Sequence, residues 1–464
     1  MFPWLAHGHI SPFLELAKSL ATRNFISYIC SSPINLNSIK KTLSPKDSIS
    51  IKFVELQIPT TQELPPHYHT TNGLPPHLMG ALKRTFDKAQ PAFSTLLKTL
   101  KPDLVIYDFL QSWAPEEAAL QDIPAVLFLS TSAAATSLMA YHWFEAESEY
   151  PFPEVHFREN EYGIFSRLIK CTGSDTNEDE RVRLSVQRSS DIVLIKTFRE
   201  LEGKYMDYLS DLARKRFVPV GPLVHNSEEK QSDHFIGWLE GKDEKSTIFA
   251  SFGSEYFLSD HEIEEIACGL EMSGVNFIWV LRFPVGDRIR IEEKLPVGFL
   301  ERVWGRGMVV EGWAPQRQIL SHRSVGGFLS HCGWSSVMEG VYFGVPIVAL
   351  PMNLDQPLNA RVVVPAGVGE EVVRNREGKL DRTEVARVVR KVVVEESGEE
   401  VRRRVAEMGG KIREKGEVEI EGVVEEVVRL CRRERWEIER ENSMDSLMTT
   451  DENSNRDRML SENT

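Results

Sequence analysis

The chain has 464 residues, of which 41% are hydrophobic, 27% charged and 9% aromatic. That length calls for two domains of roughly 200 residues, and the composition excludes a disordered, collagenous or coiled-coil chain. With 55 Lys and Arg against 69 Asp and Glu, the formal charge of -14 argues against a nucleic-acid partner, and no apolar stretch approaches the ~20 residues that span a bilayer.

The chain opens on Met1-Phe2-Pro3-Trp4, which reads as the end of a strand already under way, with no basic and apolar leader before it. Ser11 and Pro12 then read as an N-cap and first turn, with Phe13, Leu16, Ala17 and Leu20 at helical spacing. Strand-like runs follow at Phe25 to Cys30, Ile51 to Leu56, Asp103 to Tyr107, Ala125 to Ser130 and Asp191 to Lys196, separated by helical stretches. Such alternation predicts crossover units and a mostly parallel sheet with helices on both faces. Cys30, Cys171, Cys268, Cys332 and Cys431 are few and widely spaced, with no metal-site spacing, which points to free thiols mostly in the core and a reduced, cytoplasmic setting.

After Phe217-Val218-Pro219-Val220-Gly221-Pro222 the polar stretch from Val224 to Asp233 reads as an interdomain linker. A second series begins with strand Thr247 to Phe252 and a helix opened by the capping box of Ser259 and Glu262, with Ile263, Ile266, Ala267 and Leu270 on its buried face. Strands are predicted again at Val275 to Leu281, Met308 to Val310, Gly327 to Ser330 and Ile347 to Leu350. Two doubly wound Rossmann-like α/β domains in tandem follow, with ligands expected in the cleft at the carboxyl ends of their strands. The predicted boundaries are 1–217 for the first domain, 218–235 for the linker and 236–433 for the second domain with terminal helices. Between Val401 and Arg440 there are 11 Lys or Arg and 10 Asp or Glu, interleaved with valines, as in solvated amphipathic helices. The polar segment 434–464 reads as disordered.

Trp313 to Gln356 is the window that carries chemistry. Small residues after the Gly327 to Ser330 strand open a helix bearing Glu339, and the unpaired N–H groups of that helix start suit an anion. His331 adds a donor for the same anion, and a diphosphate is the natural guest. On the bland reading this is an ordinary strand-to-helix turn with a packed His and Trp.

From Trp313-Ala314-Pro315-Gln316, through His331-Cys332-Gly333-Trp334-Ser335-Ser336, to Asp355-Gln356, the window resembles the signature box of the plant secondary-product UDP-dependent glycosyltransferases. Weaker resemblance extends to about Arg433. The resemblance implies a GT-B fold, two Rossmann-like domains facing across a cleft, with the acceptor in the first and the UDP-sugar in the second. It implies Trp313 stacked on uracil, with Ala314 beside it and Gln316 near uracil and ribose. His331, Trp334, Ser335 and Ser336 surround the diphosphate, and Ser254, in Ser251-Phe252-Gly253-Ser254, matches a further phosphate contact. Glu339 takes the ribose hydroxyls, while Asp355 and Gln356 take those of the sugar, the final Gln favouring glucose. Carboxylates that accept from vicinal hydroxyls and an aromatic face for a base suit these roles. Ser335 stands where the family usually has Asn, and the shorter side chain predicts weaker donor binding.

In Ala6-His7-Gly8-His9-Ile10, His9 matches the family's catalytic base and His7 does not; Asp108, at the end of the Asp103 to Tyr107 strand, matches the carboxylate that orients it. A neutral imidazole with a carboxylate behind it is suited to taking a hydroxyl proton. The implied reaction inverts the anomeric carbon of UDP-glucose, with no cofactor or metal, in a monomer with no nucleic-acid or integral membrane partner. The segments Pro59 to His77, Gln111-Ser112-Trp113 and Thr131 to Trp143 are expected to line the acceptor pocket, with Trp113 a platform for an acceptor sugar. Arg199 to Tyr205 and Phe252 to Phe257 resemble the branch that adds sugars to existing flavonoid or terpenoid glycosides. The rival readings are a relative that epimerises or hydrolyses the nucleotide sugar, and a catalytically impaired binder or truncated gene model whose missing first strand exposes sheet edges.

Overall fold

The computed structural model describes residues 1–164, 178–224, 233–283 and 290–461. Its strands are β1 Ser27–Ser31, β2 Ile51–Glu55, β3 Val105–Tyr107, β4 Ala125–Leu129, β5 Ile192–Ile195, β6 Arg216–Pro219, β7 Thr247–Ser251, β8 Asn276–Leu281, β9 Gly307–Glu311, β10 Val325–Ser330, β11 Ile347–Ala349 and β12 Gly369–Glu371. Every pairing between them is parallel. Runs such as Ala125–Leu129 and Ile192–Ile195 are buried at every position, because helices cover both faces of a parallel sheet.

In the second domain the strand order is β12-β11-β10-β7-β8-β9, a doubly wound sheet whose winding reverses between β7 and β10. In the first domain β1-β2 and β3-β4-β5-β6 pair separately, and Met1 and Phe2 lie between them. The Phe2 amide donates to Ile106 O (2.7 Å) and Met1 O accepts from the Cys30 amide (2.9 Å). Phe2 also forms a parallel bridge to Tyr107, and its ring stacks on Phe93 at 4.3 Å. The gap expected from a shortened first strand is therefore spanned by these two residues, and the winding reverses beside them, at β3.

Several elements differ from the sequence reading. The first helix is His7–Ala21, with Ala6 as N-cap and Pro12 inside it, so both histidines sit in its first turn instead of in a loop before Ser11. Strands β6 and β12 went unread: β6 carries the buried Phe217 and Val218 but ends in proline and runs into the segment read as a linker, and β12 is Gly-Glu-Glu, with no apolar run. The capping box of Ser259 and Glu262 is present.

The C-terminal part departs furthest. The last helix runs Glu399–Ser461 and leaves the second domain to pack on the first. Ile420, Val423, Val427 and Leu430 are buried with Phe13, Leu16, Ile106 and Phe128. Glu417 and Glu421 pair with Arg23, and Glu426 with Arg216. The valines read as one face of a solvated helix are thus a seam between domains, and the second domain does not extend to residue 433. Nor is the tail beyond 433 irregular: no Gly or Pro follows Gly422 to stop the helix.

The seam makes a stability prediction. Val423 is fully buried, and an unpaired carboxylate there costs roughly 3–5 kcal/mol. Val423→Asp should lower the urea midpoint of the first domain's unfolding; an unchanged midpoint would show that the helix does not hold this sheet.

Candidate active site

The carboxyl end of the Met1–Phe2 segment leads through Trp4 into the first turn of His7–Ala21, and β3 leads to Asp108. His9 Nδ1 lies 2.8 Å from Asp108 Oδ2, and the Trp4 amide donates to the same oxygen at 3.3 Å. Asp108 is buried, whereas the His9 side chain keeps 21% exposure. A neutral His9 donates its Nδ1–H to Asp108 and leaves the Nε2 lone pair free, the tautomer a general base needs. Burial opposes the imidazolium, but the charge of Asp108, its hydrogen bond, and the charges of Glu255 and Asp355 outweigh it and hold the pKa above the ordinary histidine value.

Glu255 and Asp355 belong to the second domain, so the two halves of the predicted site meet. Thr71 Oγ1, in the first domain's loop, donates to Glu255 Oε1 at 2.8 Å. Asp355 is held by Asn359 Nδ2 (3.1 Å), and Asn359 Oδ1 accepts from Ser132 across the cleft at 2.6 Å. Burial raises the Asp355 pKa, with the Asn359 hydrogen bond and the charge of His9 acting against it. Gln356 Oε1 accepts from the amides of Met352 (3.0 Å) and Asn353 (2.8 Å), which fixes the orientation of this side chain.

His331 follows β10, beside the loop after β7 that carries Gly253 and Ser254. A Cβ on Gly253 or Gly333 would lie 2.6 or 2.5 Å from its Nε2, so glycine on both sides is what lets the ring fit. Burial pushes its pKa down to about 4; at neutral pH it offers a neutral N–H donor, not a positive charge. The helix Trp334–Tyr342 starts beside it and places Ser335 and Ser336 in its first turn. On the next turn Glu339 accepts from Gln316 Nε2 (2.7 Å) and Arg317 Nε (3.2 Å), and Gln316 also donates to Ser336 Oγ at 3.2 Å. Trp313 keeps 65% of its surface exposed, a free ring face on the rim, and Ala314 is buried behind it.

One expectation is corrected. Trp113 is no sugar platform: its ring packs among Phe2, Phe86 and Phe93 and its indole N–H donates to Asp87 at 3.0 Å. The Trp334 side chain is also buried, its indole N–H donating across the cleft to Lys196 O at 2.5 Å, so the donor contact expected of this residue falls to its backbone amide at the helix start. Sequence reasoning missed Arg317, which bridges Glu339 and Glu15 of the first domain (3.1 Å), and also Asn359 and Lys196. Arg317 had a signal in standing next to Gln316; Glu15, in the first helix, had none, since its partner is 302 residues away.

Among the described residues no group of three or more His, Cys, Asp or Glu is gathered as a metal would require, and no helix is long and apolar enough to cross a membrane. Cys30 and Cys332 are buried, and Cys268 and Cys431 half-buried; Cys171 lies outside the described residues.

Residues 184–407 match the family model for UDP-glucoronosyl and UDP-glucosyl transferase, and residues 1–225 match the glycosyltransferase N-terminal domain. The chain is 51% identical to UDP-glucosyltransferase 29 of Panax ginseng, over 94% of this chain and 97% of that one. It is 49% identical to the beta-D-glucosyl crocetin beta-1,6-glucosyltransferase of Gardenia jasminoides, over 93% and 98%. The crystal structure of Glycyrrhiza uralensis UGT73P12 with glycyrrhetinic acid 3-O-monoglucuronide superposes with a TM-score of 0.82, covering 96% of this chain and 98% of that one at 23% identity. At that identity the likeness establishes the shared fold.

The electrostatics make a titration prediction. By NMR, His9 should titrate above about 6.5, and Asp108→Asn should lower that value by removing the nearest charge that favours the imidazolium. His331 should stay neutral down to about 4. A His9 pKa unmoved by Asp108→Asn would break the proposed pair.

Proposed function

We propose that this chain, which belongs to the UDP-glycosyltransferase family, transfers glucose from UDP-glucose to a sugar hydroxyl of a flavonoid or terpenoid glycoside with inversion at the anomeric carbon. The observation that carries this reading is the His9–Asp108 pair, 2.8 Å apart, facing the charge of Asp355, which Asn359 and Ser132 tie to the first domain. In this scheme Trp313 stacks on the uracil and Glu339 takes the ribose hydroxyls, exchanging its bonds to Gln316 and Arg317 for them. Ser254, His331, Ser335, Ser336 and the helix N-terminus hold the diphosphate. Asp355 and the Gln356 NH2 orient the sugar. The carboxylate of Asp355 suits a neutral hexose and opposes a uronic acid, whose own carboxylate would be brought close to it.

His9 Nε2 takes the proton of the acceptor hydroxyl as its oxygen attacks the anomeric carbon opposite the diphosphate. Asp108 stabilises the imidazolium formed, and the helix N-terminus and the His331 N–H stabilise the charge on the departing UDP. The α-linked donor gives a β-linked product. A glycoside acceptor is supported by the Gardenia relative, which by its name extends a glucosyl group already in place, and by residues 199–205 and 252–257, which resemble that branch.

Three outcomes test this. His9→Ala should lower kcat by about 10²–10⁴-fold with UDP affinity retained; turnover equal to the parent would refute the base. Turnover with UDP-glucose should appear on glucosides and not on their aglycones, and the reverse preference would refute the acceptor class. On the acid side, kcat/KM should fall as pH drops through a value above about 6.5, because the raised pKa of His9 means the base is lost to protonation earlier than in a free imidazole.

A further inference from the structure

Lys196 follows β5 on the first domain's side of the cleft and is 3% exposed. Its ammonium has three protons to donate, yet its only hydrogen-bond acceptor among the described residues is Ser335 Oγ, 2.8 Å away. No carboxylate forms an ion pair with it among those residues. The acids that act on it, Glu339 and Glu15, are both bonded to Arg317, whose own charge repels it. The backbone of Lys196 is pinned as well, its carbonyl accepting the Trp334 indole N–H at 2.5 Å. Burial pulls the pKa of the ammonium down to about 8, the direction expected of a cation deprived of water and of a counter-charge.

A buried cation with two unused protons is costly unless an anion completes it. The site beside it is the start of the Trp334–Tyr342 helix, where Ser335 and Ser336 present a hydroxyl pair in the first turn; the Ser336 amide is bonded to Gly333 O, and the positive end of the helix dipole favours an anion there. We propose that Lys196 is a ligand of the donor diphosphate, reaching from the acceptor domain across the cleft to the position marked by Ser335 Oγ. The assignment rests on the donor site described above. Lys196 then supplies the reach that Ser335 lacks relative to an asparagine. Charge also complements charge: the neutral His331 leaves the diphosphate without a cation from β10, and Lys196 supplies one from the opposite wall. A donor gripped by both domains favours the closed cleft in which His9 and Asp355 meet.

The test is calorimetric binding of UDP and of uridine to the full chain, with Lys196→Met and Lys196→Arg as variants and thermal unfolding of each without ligand. Lys196→Met should weaken UDP by about tenfold or more, the worth of one hydrogen bond to a charged group. Uridine, which has no phosphate, should bind as before, and Lys196→Arg should recover part of the UDP affinity. Ligand-free Lys196→Met should unfold no earlier than the parent, since an uncompensated buried charge has been removed. Unchanged UDP affinity in Lys196→Met overturns the proposal while leaving the donor site intact. Equal losses for UDP and uridine with a lower unfolding temperature would make Lys196 a structural post and overturn it too. A parent chain that binds neither ligand would overturn the donor site itself.

Discussion

In a parallel sheet, two neighbouring strands whose connections leave toward opposite faces open a crevice at their carboxyl ends, and this chain has two such points turned toward each other. In the first sheet the crevice lies between the Met1–Phe2 segment and β3, so the chain leaving one strand supplies His9 and the chain leaving the other supplies Asp108. In the second it lies between β7 and β10, and the departing loops supply Ser254 and His331. Nothing in the chemistry of a histidine or an aspartate brings residues 9 and 108 to 2.8 Å; the winding does.

Given that arrangement, the cleft is organised by which charges are satisfied before any ligand arrives. Glu339 is bonded to Gln316 and Arg317, and Arg317 is tied to Glu15 across the cleft. His9 is paired with a carboxylate that makes it a stronger base and fixes its tautomer. His331 is kept neutral by burial. Lys196 is the contrast: its charge is buried and answered only by Ser335 Oγ among the described residues, beside the start of the Trp334–Tyr342 helix. On the proposal above, the donor diphosphate completes it and couples that helix to the acceptor domain.

The two domains are held together by more than the site. Arg361 makes a bidentate bond to Glu161 (2.8 and 2.7 Å) and reaches Glu371, which also holds Arg158. The last helix crosses from the second domain to the first sheet and buries a stripe of four aliphatic residues there. These contacts join the two sheets at points away from the cleft residues.

Much of this was legible in the chain. Ten strands were marked by apolar runs, since parallel strands buried on both faces are largely apolar, and the segment from Trp313 to Gln356 could be matched to the family's signature box. Local sequence also determined the helix that carries Ser335 and Ser336 in its first turn. The edge strand β12, Gly-Glu-Glu, left no such mark, and the short apolar pair Phe217-Val218 of β6 was masked by the proline that ends it. Tertiary structure alone decided that Trp113 and Trp334 are buried, that the valines of the last helix close on the other domain, and that Glu15, Lys196 and Arg317 meet the donor region. The physical reason is common to all of these. A hydrophobic or charged side chain states in sequence that it needs a partner, but when that partner lies a hundred or more residues away, only the closed arrangement of the two sheets names it.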